Sequence, residues 1–267
     1  MPVKYGGYQW CLGLADAAHA APRYNVKSFT RTISHRFPLD CARKMNMLFT
    51  TLFALAVAFV TSPSLAQEIK GDAKAGETKN AMCIGCHGIK GYQASFPEVY
   101  KVPKISGQGA KYIIAALNEY KKGERKHPSM RGIAQALTDQ DMADLAAHYS
   151  VDGLPAGGSV LPAKPARAPS AEVQGLLNKA NCASCHGANF SMPIDPSYPK
   201  LAGQHADYLF VALKAYKTDG TNQKVGRNNA IMGGMAKLYT NAELKQLAGY
   251  LSSIDGELQT IPESRFR

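Results

Sequence analysis

The chain has 267 residues, of which 45% are hydrophobic and 19% charged, and carries a net charge of +11 with six cysteines. That length accommodates one large domain or two small ones. No dense basic run with interleaved aromatics occurs, so the positive charge does not point to nucleic acid.

In chain order, residues 1–66 read as an N-terminal extension and signal peptide that is removed. The 13-residue run Leu48 to Val60 follows Arg43 and Lys44 and ends in Ser64-Leu65-Ala66, a small-x-small cleavage pattern. A membrane span needs about 20 residues, so a cleaved secretory signal is the better reading than a retained anchor. Translation starting at Met45 or Met47 would leave the upstream stretch without a role. Cys11 and Cys41 precede the cut, leaving four cysteines and no disulfide in the exported chain. The leader also holds seven of the 31 basic and two of the 20 acidic residues, which lowers the net charge beyond it to +6. That charge biases docking towards acidic partner surfaces or anionic membrane surfaces.

Two pentapeptides then dominate: Cys83-Ile84-Gly85-Cys86-His87 and Cys182-Ala183-Ser184-Cys185-His186. C-x-x-C-H is the attachment site of a c-type haem. The two thiols bond to the porphyrin vinyls and the adjacent histidine ligates the iron. A thioredoxin-type pair does not need the histidine, and a zinc site needs four closely packed ligands. The two copies predict two covalent haem c groups, held by Cys83, Cys86, Cys182 and Cys185, with His87 and His186 as proximal ligands.

Around these motifs the halves repeat. Pro103-Lys104, Gly107-Gln108, Tyr112 and Tyr120-Lys121 recur as Pro199-Lys200, Gly203-Gln204, Tyr208 and Tyr216-Lys217. Arg125, Met130, Gly132 and Thr138 recur as Arg227, Met232, Gly234 and Thr240. A period near 100 residues is too long for a solenoid and indicates two copies of one small domain. The expected organisation is 67–151 as the first haem domain, 152–170 as a Pro/Ala/Gly-rich linker, 171–258 as the second, and 259–267 as a C-terminal tail. Each copy is small enough to bury only a marginal core, so each is expected to fold only with haem bound.

The fold class is all-α. Helices running into the attachment sites are predicted over Lys74 to Cys83 and Ala171 to Cys182. Further helices are predicted over Ala110 to Lys121 and Ala206 to Lys217, and the last helix of each half opens on a capping pattern, Thr138-x-x-Asp141 and Thr240-x-x-Glu243. No strand of useful length is predicted. Gly76 and Gly175 fall inside first helices, where close crossing with the terminal helix of the same half would compensate their weak propensity.

The equivalent positions of Met130 and Met232 make them the candidate sixth ligands. His/Met ligation closes the iron to small molecules and suits an electron carrier. Among the competitors, His127 reads as an exposed loop residue and Met235 as core; Met82 and Met192 read as packing, and His148 and His205 as packing or surface. Pro103 and Pro199 can offer a carbonyl to the proximal histidine Nδ1–H, or serve only as turn prolines. Arg125 and Arg227 are candidates for propionate contacts, the alternative being solvated loop arginines.

With these residues in place the chain resembles the dihaem class I cytochromes c, most closely the cytochrome c4 type, over about residues 68–256. The resemblance implies tandem all-α haem domains related by an approximate twofold and a periplasmic carrier, free or membrane-associated, passing electrons towards a terminal oxidase. The expected partners are redox proteins such as a quinol-oxidising cytochrome complex, the expected state is monomeric, and no substrate chemistry is expected. The alternative function is the cytochrome subunit of a flavocytochrome or other periplasmic dehydrogenase complex. A dihaem enzyme is not expected: dihaem peroxidases need an open or bis-histidine haem in a longer chain, and thiosulfate dehydrogenases of this kind use a cysteine ligand that the exported chain cannot spare.

Overall fold

A computed structural model describes residues 69–218, 222 and 224–262. The leader 1–66 and its cleavage site, and the tail beyond residue 262, lie outside the described residues. In the first half, α1 (Ala73–Lys79) starts at Asp72, whose carboxylate accepts the N–H groups of Lys74 and Ala75. Then follow α2 (Ala81–His87), strands β1 (Gln93–Ala94) and β2 (Tyr100–Lys101), α3 (Ala110–Lys122), α4 (Pro128–Gln135) and α5 (Asp139–Val151). The second half repeats the order without the strands: α6 (Ala171–Lys179), α7 (Cys182–His186), α8 (Ala206–Lys217), α9 (Ala230–Lys237) and α10 (Asn241–Ser253). Both capping boxes form at the starts of α5 and α10. The two-residue strands pair antiparallel, Gln93 with Lys101 and Ala94 with Tyr100, a small departure from a wholly helical expectation.

The helices expected to run unbroken into the attachment sites are broken. α1 stops at Lys79, and α2 restarts after Asn80, a wholly buried residue whose side-chain amide lies 3.3 Å from His148 Nε2. α6 stops at Lys179, and Asn181 takes the left-handed conformation, φ 46°, before α7. Asn tolerates that conformation better than most residues with a side chain, so the chain can turn there.

Each half builds its own core. In the first, Ile113 of α3 packs with Leu145, Ala146 and Tyr149 of α5, and partly buried Cys83 lies against them. The second core is larger, joining Leu176 and Leu177 of α6, Leu209 of α8, Leu244, Leu247, Ala248 and Leu251 of α10, and Ile254, with Cys182 at its edge. The segment 152–170 has neither helix nor strand. It lies against the second half, where Tyr250 donates to the Arg167 carbonyl at 3.1 Å and Asn189 to that of Pro162 at 3.0 Å.

Polar backbone contacts join the halves. Arg125 and Arg227 face each other in an antiparallel bridge, flanked by Lys126 N–H to Gly226 O (2.9 Å) and Asn228 N–H to Glu124 O (2.8 Å). Beyond α10, Gln259 donates its N–H to the Ser106 carbonyl at 3.0 Å, which bonds the chain there to the first half.

The repeated glycines of the first helices differ. A Cβ on Gly76 would lie 2.1 Å from the Asp144 carbonyl oxygen on α5, whereas one on Gly175 meets nothing within 4 Å. Close crossing therefore accounts for Gly76 alone. Gly76→Ala should destabilise the holoprotein by about 2 kcal/mol through overpacking, and Gly175→Ala should stabilise it by roughly 0.5–1 kcal/mol through helix propensity. Thermal denaturation of the two variants checks both signs.

The same crossing places Asp144, 3% exposed, under three donors: the Asp72 N–H at 2.9 Å, Lys79 Nζ at 2.7 Å and Gln140 Nε2 at 2.8 Å. The Lys79 ammonium first, then the Asp72 N–H, hold its carboxyl below the ordinary range. A carboxylate with a depressed folded pKa stabilises above its unfolded pKa and loses that contribution as pH falls through the folded one. Asp144→Asn should therefore lower the melting temperature at pH 7, and its gap to wild type should close below about pH 4; melting curves across pH 2–8 measure it.

Candidate functional site

Helical geometry explains why the two motifs work as units. In α2, Cys83, Cys86 and His87 occupy positions i, i+3 and i+4, so all three side chains leave one face. Cys182, Cys185 and His186 do the same in α7. Among the described residues none of the four cysteines pairs in a disulfide, which leaves all four sulfurs for haem. Before a haem is attached, burial pushes the Cys83 and Cys182 thiols up, so neither is primed as a reactive thiolate. Among the described residues no group of three or more His, Cys, Asp or Glu side chains is placed to hold a metal ion by itself, so neither pair gains the further ligands zinc requires.

Both motif histidines are fixed on one ring nitrogen. His87 Nδ1 lies 2.8 Å from the Pro103 carbonyl oxygen, and His186 Nδ1 lies 3.1 Å from that of Pro199. A carbonyl only accepts, so Nδ1 carries the proton and Nε2 presents its lone pair. Burial lowers the pKa of both rings, favouring the neutral form that ligates a metal. The donor set fits an iron porphyrin on its proximal side.

The methionines sit on the repeated short helices. Met130 lies in α4 and Met232 in α9, each partly buried. Sequence reasoning missed what positions them. His127 is the N-cap of α4, its Nδ1 accepting the Met130 N–H at 3.4 Å, and Asn229 is the N-cap of α9, its Oδ1 accepting the Met232 N–H at 2.9 Å. His127 is thus a partly buried cap rather than an exposed loop residue, and its alignment with Asn229 was the available signal. Met235, expected in the core, is 38% exposed, because the buried position of α9 is Ala236. Met82 and Met192, expected to pack, are 68% and 64% exposed.

The arginines are not solvated loop residues. Arg125 is 4% exposed, pairs with Glu119 at 2.8 Å, donates to Tyr112 Oη at 3.2 Å, and lies over the Tyr112 and Tyr120 rings. Arg227, partly buried, donates to Tyr208 Oη at 3.1 Å and lies over Tyr208 and Tyr216. Burial opposes the charge on Arg125, but the tyrosine oxygens around it more than offset that, and its pKa is raised. Arg125 Nε is buried without a hydrogen-bond partner among the described residues. A buried N–H of this kind fits an anionic oxygen such as a haem propionate.

Paired attachment helices, carbonyl-fixed histidines and repeated methionine helices define a c-type cytochrome with two haem sites. The cytochrome c family model matches residues 73–149 and again 170–255. Cytochrome c4 of Stutzerimonas stutzeri is 33% identical over 198 residues, covering 69% of this chain and 90% of that protein. Cytochrome c-552 of Acidithiobacillus ferridurans is 31% identical over 237 residues, covering 86% of this chain and 95% of that protein. A protein of Stutzerimonas stutzeri strain A1501 named as a thiosulfate dehydrogenase electron acceptor is 30% identical over 187 residues, covering 67% of this chain and 81% of that protein. The chain belongs to the cytochrome c family and, within it, to the dihaem cytochromes c4. Two covalently bound haem c groups are its cofactors, and it transfers electrons rather than catalysing substrate chemistry.

The caps give a direct test of how the methionine helices are held. His127→Ala and Asn229→Ala should each cost about 1 kcal/mol of holoprotein stability, and His127→Asn should restore most of the first loss. Denaturant titration of the three variants decides it.

Proposed function

We propose that the protein is a periplasmic, monomeric single-electron carrier with two six-coordinate haems, one ligated by His87 and Met130 and the other by His186 and Met232. When bound, each haem iron supplies a one-electron ferric/ferrous couple. The observation that carries the proposal is the duplicated fixing of the proximal ring: in both halves a proline carbonyl accepts Nδ1–H and turns Nε2 outward as a ligand. The caps at His127 and Asn229 hold the two methionine helices at the same register. A thioether sixth ligand raises the potential and keeps small molecules off the iron, as a carrier requires.

In this reading 67–151 and 171–258 are the haem domains, 152–170 joins them, and 259–267 follows as a tail. Cys83 and Cys86 hold one haem, Cys182 and Cys185 the other. Arg125 and Arg227 meet propionates near the contact between the halves. The run at 48–60 with its Ser-Leu-Ala end supports export by a cleaved signal peptide. Among the described residues no helix is long and apolar enough to cross a membrane. The net charge of +6 beyond the leader favours acidic docking faces, such as those of a quinol-oxidising cytochrome complex and a terminal oxidase, or an anionic membrane surface.

A second reading has a specific observation behind it. The relative named as a thiosulfate dehydrogenase electron acceptor covers two thirds of this chain, so a periplasmic dehydrogenase is a competing electron donor. Co-purification of a stoichiometric dehydrogenase would select that reading over a freely diffusing carrier.

Ligation is tested by removing each sulfur. Met130→Ala and Met232→Ala should each abolish about half of the methionine-to-iron charge-transfer absorbance and open one haem to carbon monoxide. Wild type should bind none. Unchanged spectra in both variants would remove the two methionines as ligands.

A further inference from the structure

The P-K-x-x-G-Q segments of the two halves, 103–108 and 199–204, bind each other reciprocally. The Lys104 N–H donates to Gln204 Oε1 at 2.9 Å, and Gln204 Nε2 donates back to the Lys104 carbonyl at 2.9 Å. In mirror fashion, the Lys200 N–H donates to Gln108 Oε1 at 2.9 Å, and Gln108 Nε2 donates to the Lys200 carbonyl at 3.1 Å. Each lysine ammonium completes the clasp on the opposite glycine: Lys104 Nζ to Gly203 O at 2.6 Å, and Lys200 Nζ to Gly107 O at 2.7 Å. Both glutamines are 4% exposed. Their Oε1 atoms also accept an N–H at the start of their own helix, Gly109 at 2.9 Å and His205 at 3.1 Å, which fixes their direction.

The lysine N–H in each clasp belongs to the same peptide unit as the proline carbonyl that holds the proximal histidine. Pro103 C=O accepts from His87 while the N–H across that peptide bond donates to Gln204. Pro199 C=O accepts from His186 while the Lys200 N–H across that peptide bond donates to Gln108. A peptide is conjugated through its C–N bond, and hydrogen bonds in a chain polarise one another. A good acceptor on the N–H makes the carbonyl oxygen a stronger acceptor for the imidazole. That raises the basicity of the ligating nitrogen.

We infer that Gln204 is a positioning residue for the first-half haem and Gln108 for the second-half haem: each glutamine tunes the axial histidine of the opposite half through one shared peptide. This rests on the ligation proposed above. The crossed pattern follows from the atoms. Gln108 has no hydrogen bond to the Pro103 peptide of its own half among the described residues, but a direct one to the Pro199–Lys200 peptide. An imidazole with a weaker acceptor on Nδ1 is a poorer donor to ferric iron, so loss of either glutamine raises the potential of the opposite haem.

The test uses the intact dihaem protein with Gln108→Met and Gln204→Met, which keep side-chain length and remove the amide. Proton NMR of the oxidised protein reads the hyperfine-shifted Nδ1–H of each proximal histidine, and spectroelectrochemistry reads the two potentials. Gln204→Met should shift the His87 Nδ1–H and raise the first-half potential, with a several-fold smaller effect on the second half. Gln108→Met should do the converse. A larger change in the variant's own half, an equal change in both halves, or no change overturns the inference. Should a methionine variant fail to hold both haems, Gln108→Glu and Gln204→Glu retain the acceptor and should move the opposite Nδ1–H the other way; failure to do so overturns it equally. Absence of any hyperfine-shifted Nδ1–H in wild type would instead defeat the ligation reading beneath it.

Discussion

A histidine ligates iron through one ring nitrogen, and whatever holds the other sets tautomer, ring angle and donor strength. In both halves of this protein a proline carbonyl holds Nδ1 of the histidine proposed as ligand, 2.8 Å from His87 and 3.1 Å from His186. A backbone carbonyl cannot titrate and cannot donate, so the neutral Nδ1–H tautomer is enforced. The surrounding helices can be understood as what brings this carbonyl to that ring. α2 and α7 put the thiols and imidazole on one face, and the loops ending in Pro103 and Pro199 return to meet them.

The loops do a second job. Their lysine and glutamine residues form the reciprocal clasp between the halves, so the contact that joins the repeats lies one peptide bond from the contact that fixes each motif histidine. Nearby, the arginines and tyrosines of both halves meet across the Arg125–Arg227 bridge. The duplication is not strict. Position 119 is Glu and pairs with Arg125, while the matching position 215 is Ala. The first half has a small core and the second a much larger one. Gly76 is required by a backbone contact and Gly175 is not.

Local chemistry was legible in the sequence. C-x-x-C-H needs only a helical turn, and the capping patterns at Thr138 and Thr240 need only three residues, so both could be read without a fold. The repeat exposed Met130, Met232, Arg125 and Arg227 as equivalent pairs. What stayed hidden depends on packing. The break at Asn80 follows from burying its amide against His148, far away in the chain. His127 looked like a loop residue because capping depends on where the next helix starts, and its partner position held a different residue type with the same acceptor function. The clasp was invisible for a different reason. P-K-x-x-G-Q stood out as a repeated string, but each copy is satisfied by the other, and a repeat seen in one dimension does not say that its copies bind one another.

Two irons, each held between an imidazole and a thioether, are the central claim, and low-temperature EPR of the fully oxidised protein tests it most directly. The account predicts two low-spin ferric signals of the histidine–methionine type, in equal amounts, with no high-spin component. A high-spin signal, or a low-spin signal of the bis-histidine type, would contradict it.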